Sequence, residues 1–347
     1  MKTRVASPAR WTTSGGRTIY ALSLEAFPGF FANVYLIDLD GALVLVDTGS
    51  GMDSSNSDLE KGLEDLHEEF GLRLRWSDID VVLITHGHMD HFGGIAYVRE
   101  RVDAPVGVHA LDQRVLSHYE ERVVMASQQI LVFLERCGLS ERPRGRLLNM
   151  YSAPKARYGR MPVDFMLTET DDLVLPTATG SAPSSIQVFH VPGHAPGLVC
   201  LRVDDILLTA DHVLSRITPH QAPESITAHM GLAHYFESLR KIELLEGIRI
   251  GLGGHEAPIE NVSARCREIQ SSHDERLDQV LAACDEPRTM GEISRAIFGS
   301  LHGYNVLLGL EEAAAHVEHL HQLGALVAAN IEELEQGHSV ARYLRAD

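Results

Sequence analysis

The stretch Ile84-Thr85-His86-Gly87-His88-Met89-Asp90-His91 decides how the rest of the chain is read. It follows Ile79 to Ile84, a largely apolar run that reads as a strand buried on both faces. A loop leaving the end of such a strand aims its side chains from a rigid base. Four side chains with metal-binding chemistry fall within the six residues from His86 to His91. Imidazole nitrogens and a carboxylate suit Zn²⁺, Mn²⁺ or Fe, and packing them together is costly unless a cation organises them.

Upstream, Thr18 to Leu24, Asn33 to Leu39 and Ala42 to Val46 read as strands, the last two joined at Asp40-Gly41 as a hairpin. Asn56 to Phe70 carries Leu59, Leu63 and Leu66 at helical spacing. Downstream, Pro105 to His109 reads as a strand and Leu111 to Arg136 as one long amphipathic helix, whereas 137–165 shows only weak periodicity. Strand-like runs return at Ile186 to His190, Leu198 to Val203 and Ile206 to Leu208, followed by a helix over His234 to Leu245 and a last strand at Ile248 to Leu252. Two batches of strands with helices imply a layered α/β sandwich. Beyond about residue 262 the texture is helical, over Arg267 to Ala283, Met290 to Phe298 and Leu310 to Leu323. Two candidate strands, Ala325 to Ala329 and Ser339 to Leu344, then flank a polar loop, giving a winged-helix-like unit. The expected domains are therefore 1–262, with 111–165 inserted, and 263–347.

Further metal-binding side chains stand where strands end. His194 lies in Val191-Pro192-Gly193-His194-Ala195-Pro196-Gly197, Asp211 follows Ile206 to Ala210, and His255 lies in Gly253-Gly254-His255-Glu256. With the first cluster these residues make the chain resemble the metallo-β-lactamase superfamily, and within it the glyoxalase II-type hydrolases. The H-x-H-x-D-H motif is matched in full by His86, His88, Asp90 and His91. The resemblance implies a dinuclear site: His86, His88 and His194 on one ion, Asp90, His91 and His255 on the other, and Asp211 bridging. Asp47, in Val46-Asp47-Thr48-Gly49, matches an early D-T-G and would orient the metal-bound groups. The fold so implied is an αββα sandwich with a helical cap insertion and a C-terminal winged-helix-like domain. Three positions depart from the pattern: Ala210 replaces the usual glycine before the bridging aspartate, and in the last histidine's P-G-H-G Gly253 replaces the proline and Glu256 the final glycine. The role of Glu256 is left open. His109, His190, His212 and His220 read as hydrogen-bonded packing residues, and the tail histidines His302, His316, His319 and His321 as a solvated helix face without matching carboxylates.

The chemistry expected from the resemblance is hydrolysis, with two ions, Zn²⁺ first and Mn²⁺ or Fe as alternatives, sharing a hydroxide that attacks an ester or thioester. Asp90 and Asp211 are the candidate catalytic residues. Lactonase, phosphotriesterase, dehalogenase and endoribonuclease activities use the same core and remain alternatives. The 347 residues carry a formal charge of −18, which disfavours nucleic-acid binding, and residues 270–347 hold 13 Asp and Glu against 5 Lys and Arg. That tail is read as a packing or dimerisation module, with a homodimer left open. Residues 141–160 run the other way, with six Lys and Arg against Glu141 alone. A basic cap would recruit an anionic carrier such as coenzyme A, phosphopantetheine or glutathione. Arg144 and Arg157 are the candidate contacts, with Phe30, Phe31 and Met89 beside them in the substrate pocket. Met125, Phe133, Met150, Tyr151, Tyr158 and Met161 are core residues first and pocket residues second. No apolar run reaches membrane-spanning length, the start of the chain lacks a signal-peptide core, and the four cysteines are widely spaced. A cytoplasmic protein with reduced thiols is expected.

Overall fold

A computed structural model describes residues 7–169, 172–175 and 184–346. By mutual proximity the residues fall into two compact units, one of 1–119, 160–219 and 238–266, the other of 120–159, 220–237 and 267–347.

The first unit is built on two sheets. Seven strands lie side by side in chain order: Ala9–Thr12, Thr18–Phe27, Phe30–Leu39, Ala42–Val46, Ile79–Leu83, Val106–His109 and Phe165–Leu167. The first four are antiparallel and the rest join in parallel. The second sheet runs Ile250–Gly253, Ile206–Ala210, Val199–Val203, Ser184–His190, Leu173–Leu175. Alternate residues of both, among them Ile19, Tyr35, Ile37, Val44 and Leu83 from the first and Val188, Val199, Leu201 and Leu208 from the second, form one buried core. Helix Asp53–Phe70 covers the outer face of the first sheet, brought in close by Gly62, where a Cβ would stand 3.0 Å from Leu22. The architecture is the mixed α/β sandwich expected from the two batches of strands.

The structure changes several details. The long helix expected over 111–136 is two, Ala110–Ser117 and Tyr119–Arg136, because the backbone at His118 leaves the helical region at φ −132°, ψ 45°. The weakly periodic stretch after it contains helix Glu141–Ser152. Pro143 obscured it in the sequence, yet a proline in the first turn costs no intrahelical hydrogen bond.

In the second unit Ile130, Phe133, Leu134 and Leu147 bury themselves against Val280, Ile293, Leu307, Leu310 and Val317 in a core of its own. Phe133 and Tyr151 thus belong to this packing, whereas Met125 and Met150 are exposed. The tail runs helix Val262–Ala283, strand Arg288–Thr289, helices Met290–Phe298 and Asn305–Gln322, strand Leu326–Ala328, helix Ile331–Glu335 and strand Arg342–Arg345. The expected hairpin gains Arg288–Thr289 as a third strand, paired to Arg342–Arg345, and the expected polar loop holds a short helix. All four cysteines are free and buried. Among the described residues no helix is long and apolar enough to cross a membrane.

Candidate metal centre

The residues singled out by the motif converge at one end of the sandwich. His86 and His88 leave strand Ile79–Leu83, Asp90 and His91 occupy the short helix Met89–Phe92, and His194 lies in the turn between Ser184–His190 and Val199–Val203. Asp211 directly follows Ile206–Ala210, and His255 stands one residue beyond its parallel partner Ile250–Gly253. Residues about 100 positions apart in sequence meet because neighbouring strands end together.

Two groups result, each with its ligand-type atoms within 4.8 Å of one another: His86, His88, His194 and Asp211, and Asp90, His91 and His255. His88 Nδ1 stands 3.0 Å from His86 Nε2 and 3.1 Å from His194 Nε2. The Asp211 carboxylate lies between the groups, with Oδ2 3.7 Å from His194 Nε2 and 3.1 Å from His255 Nε2, and Oδ1 3.5 Å from His91 Nε2.

Neighbouring oxygens orient three of the rings. Asp47, itself held at φ 64°, accepts the His91 Nδ1 proton at 2.8 Å and takes two further hydrogen bonds from the Thr85 amide and hydroxyl. The Thr85 hydroxyl in turn is 3.1 Å from His86 Nδ1. His255 Nδ1 donates to the Phe31 carbonyl at 2.6 Å. In each of these three rings Nδ1 is engaged outward, so Nε2 is the nitrogen that faces the centre.

Electrostatics reinforce this. Burial, helped by the neighbouring imidazoles, holds His86 well below the usual histidine range and His88 down to about 3, so both stay neutral. Burial also opposes charge on His91 and His255, but the carboxylates of Asp211 and Asp90 outweigh it, with Asp47 adding to the effect at His91. His91 is raised and His255 reaches about 10. A field that binds protons so firmly also favours a divalent cation. Among the described residues the buried His91 Nε2 and Asp211 Oδ1 make no well-formed hydrogen bond, facing each other at 3.5 Å, and a bound cation would satisfy both. Gly254 leaves the necessary room: a Cβ there would sit 2.3 Å from Asp211 Oδ1 and 2.7 Å from the His91 ring. By donor set, spacing and charge, the residues fit metal ions.

The sequence did not single out Thr85, Phe31's carbonyl, Asn33, Tyr35 or Gly254 for these roles. Asn33 and Tyr35 side chains both donate to the Gly253 carbonyl and so hold the His255 turn. Only adjacency to the motif marked Thr85 and Gly254, and nothing in the sequence marked the others.

The remaining candidates divide. Phe30 packs its ring 4.7 Å from that of His255, Phe31 contributes its carbonyl, and Met89 opens the helix carrying Asp90. Arg144 and Arg157 lie in the second unit, where Arg144 pairs with Glu135 at 2.8 Å. Burial lowers Lys155 of the same run to about 7, so the basic patch carries less free charge than its count implied. Glu256 keeps clear of the metal-type groups: its carboxylate accepts the amides of Arg216 and Ile217 at 2.8 and 3.2 Å, tying that loop to the His255 turn. His316 corrects the reading of the tail histidines as a solvated face. It is fully buried, hydrogen-bonded to His273 at 3.1 Å and near Glu312. The three residues have ligand-type chemistry, but Glu312 is already balanced by Arg276 at 2.7 Å and His220 at 3.3 Å. That cluster is a buried ion-pair network.

The model of the metallo-beta-lactamase superfamily matches residues 27–255, most of the chain and every residue of the cluster. The chain belongs to the metallo-beta-lactamase superfamily. Among superfamily relatives, an atrochrysone carboxyl ACP thioesterase from Aspergillus fumigatus is 25% identical over 284 residues, 78% of this chain and 69% of that protein. The probable metallo-hydrolase YqjP of Bacillus subtilis is 23% identical, covering 82% and 86% of the two chains. A solved metallo-beta-lactamase family protein from Thermus thermophilus superposes with a TM-score of 0.74 at 25% identity, covering 94% and 98%. The protein is a hydrolase of the metallo-beta-lactamase fold.

Proposed function

We propose that this hydrolase cleaves a thioester or small ester at a two-ion centre, with His86, His88 and His194 holding one ion, Asp90, His91 and His255 the other, and Asp211 touching both. The observation that carries this is the Asp211 carboxylate, placed between two groups of inward-facing imidazoles. When bound, such ions supply Lewis acidity and lower the pKa of water toward neutrality. The chain's own part is positional: Asp47, Thr85 and the Phe31 carbonyl fix the ring tautomers, and Asp211 stands ready to accept a proton from the attacking water. Phe30, against His255, forms an apolar wall beside the centre.

The metal motif does not choose among scissile bonds, and the thioester is favoured by the thioesterase name of the fungal relative. The acidic tail weighs against a nuclease. We read its helices and three-stranded sheet as a winged-helix-like packing or dimerisation module, to be checked by light scattering. The decisive experiment measures metal content, then assays acyl thioesters of coenzyme A, pantetheine and glutathione beside lactones and phosphodiesters, with Zn²⁺, Mn²⁺ and Fe²⁺ supplied separately. Two ions per chain and thioester turnover that stops on chelation are expected. Turnover confined to phosphodiesters, or unaffected by removing the metal, would overturn the reading.

A further inference from the structure

Asp112 lies in the first turn of helix Ala110–Ser117 and is wholly buried. Its Oδ2 accepts the amide of Gly87 at 2.8 Å, and its Oδ1 accepts the amide of Gly197 at 3.1 Å. Gly87 separates His86 from His88, and Gly197 closes the turn that carries His194. One carboxylate therefore ties together the two loops that supply the three imidazoles of one metal group. The close approach requires glycine at 197 and is tight at 87. A Cβ on Gly197 would stand 2.7 Å from Asp112 Cγ, and one on Gly87 would stand 3.0 Å from Val115 on the same helix.

We infer that Asp112 is a positioning residue, setting the 3.1 Å separation of His88 Nδ1 and His194 Nε2 and, through it, the affinity of that group for its ion. The inference rests on the two-ion reading of the site. The acceptor must be a carboxylate: both contacts come from N–H donors, and the first turn of a helix favours negative charge. An asparagine has nearly the same shape but one oxygen, so its NH₂ would confront one of the two amides, donor against donor. The strain would fall on the relative placement of the two loops. Asp90 and His91 follow on the same segment, but His91 is held independently by Asp47 and by the Thr48 hydroxyl, and His255 stands on another turn, so that group would be spared.

The test uses the full-length protein, stripped of metal and titrated with Zn²⁺ against a chromogenic chelator, and with Co²⁺ by visible spectroscopy. In D112N one of the two ions should bind about 10–100-fold more weakly, with its Co²⁺ bands altered, while the other binds as in the unmodified protein. G197A, which displaces the same contact from the opposite side without touching the charge, should weaken the same ion. The double variant should lose less than the two single effects combined. Circular dichroism of the metal-free variants should match that of the parent. Equal weakening of both ions, or none in either variant, overturns the positioning role while leaving the two-ion site intact. A parent protein that takes up no ions overturns the site reading itself.

Discussion

Asp47 Oδ2 lies 2.8 Å from His91 Nδ1, and the same carboxylate accepts both the amide and the hydroxyl of Thr85. A single buried acid thereby fixes the last histidine of the motif directly and the first through Thr85. Replacing Asp47 by Asn removes the negative charge but keeps the size. Metal affinity should fall by about 10–100-fold, measured by chelator competition, with Asp90 and the remaining imidazoles still in place. Unchanged affinity would show that the His91 ring needs no such partner.

Gly254 brings backbone close against Asp211 and His91. The methyl group of a Gly254→Ala variant would press on Asp211 and His91 together, so the donor atoms must shift by a large fraction of an ångström. Turnover should drop by about 100-fold or more, since misplacement of about 1 Å carries that cost. Metal stoichiometry measured in parallel separates lost ions from misplaced ones, and full activity would remove the steric argument.

The second unit carries a pH signature through His220 and Glu312. Burial alone would lower His220, but its hydrogen bonds to Glu311 and Glu312 outweigh this and raise it to about 10. Burial likewise opposes charge on Glu312, yet His220 and its neighbours bring it down to about 2. The raised histidine contributes stability that is complete below its ordinary 6.5 and lost as pH climbs toward 10. The depressed carboxylate contributes stability that is complete above its ordinary 4.5 and lost as pH falls toward 2. Their joint contribution therefore peaks between about 4.5 and 6.5. His220→Gln should cost about 1–3 kcal/mol at pH 6, discounted because His220 is partly solvated. The loss should be clearly smaller at pH 9, as read from thermal or denaturant unfolding. A pH-independent loss would contradict the ion pair.

Phe133 fills the core of the second unit with Ile293, Leu307 and Leu310. Truncation to Ala should destabilise the protein by about 3–5 kcal/mol in urea unfolding. KM for a thioester should stay within about twofold if Phe133 has only this packing role.

The sandwich was legible because its strands alternate or run apolar over their length: Ala42–Val46 has the bounds read from the sequence, and Ile79–Leu83 ends within one residue. Hidden elements lacked that local signal. Helix Glu141–Ser152 opens on a proline-containing turn, and strand Arg288–Thr289 has two residues, too few for any periodicity. The tail histidines show the limit from the other side. His316 looked solvated among acidic neighbours, but His273 and the compensated Glu312 make its burial tolerable.

The linear order of residues is enough to establish the inventory of the candidate centre: seven histidines and aspartates at strand ends, in an order and spacing that identify the superfamily. Chemistry of this kind is carried by residue type and local context, both of which are written along the chain. Folding in three dimensions settles the rest: which outward atom orients a ring, that Glu256 serves a loop, and that Asp112 joins Gly87 to Gly197 across the chain. Those facts depend on distances between segments that no local pattern encodes. They arise only when two sheets close on a common core and bring their strand ends to one place.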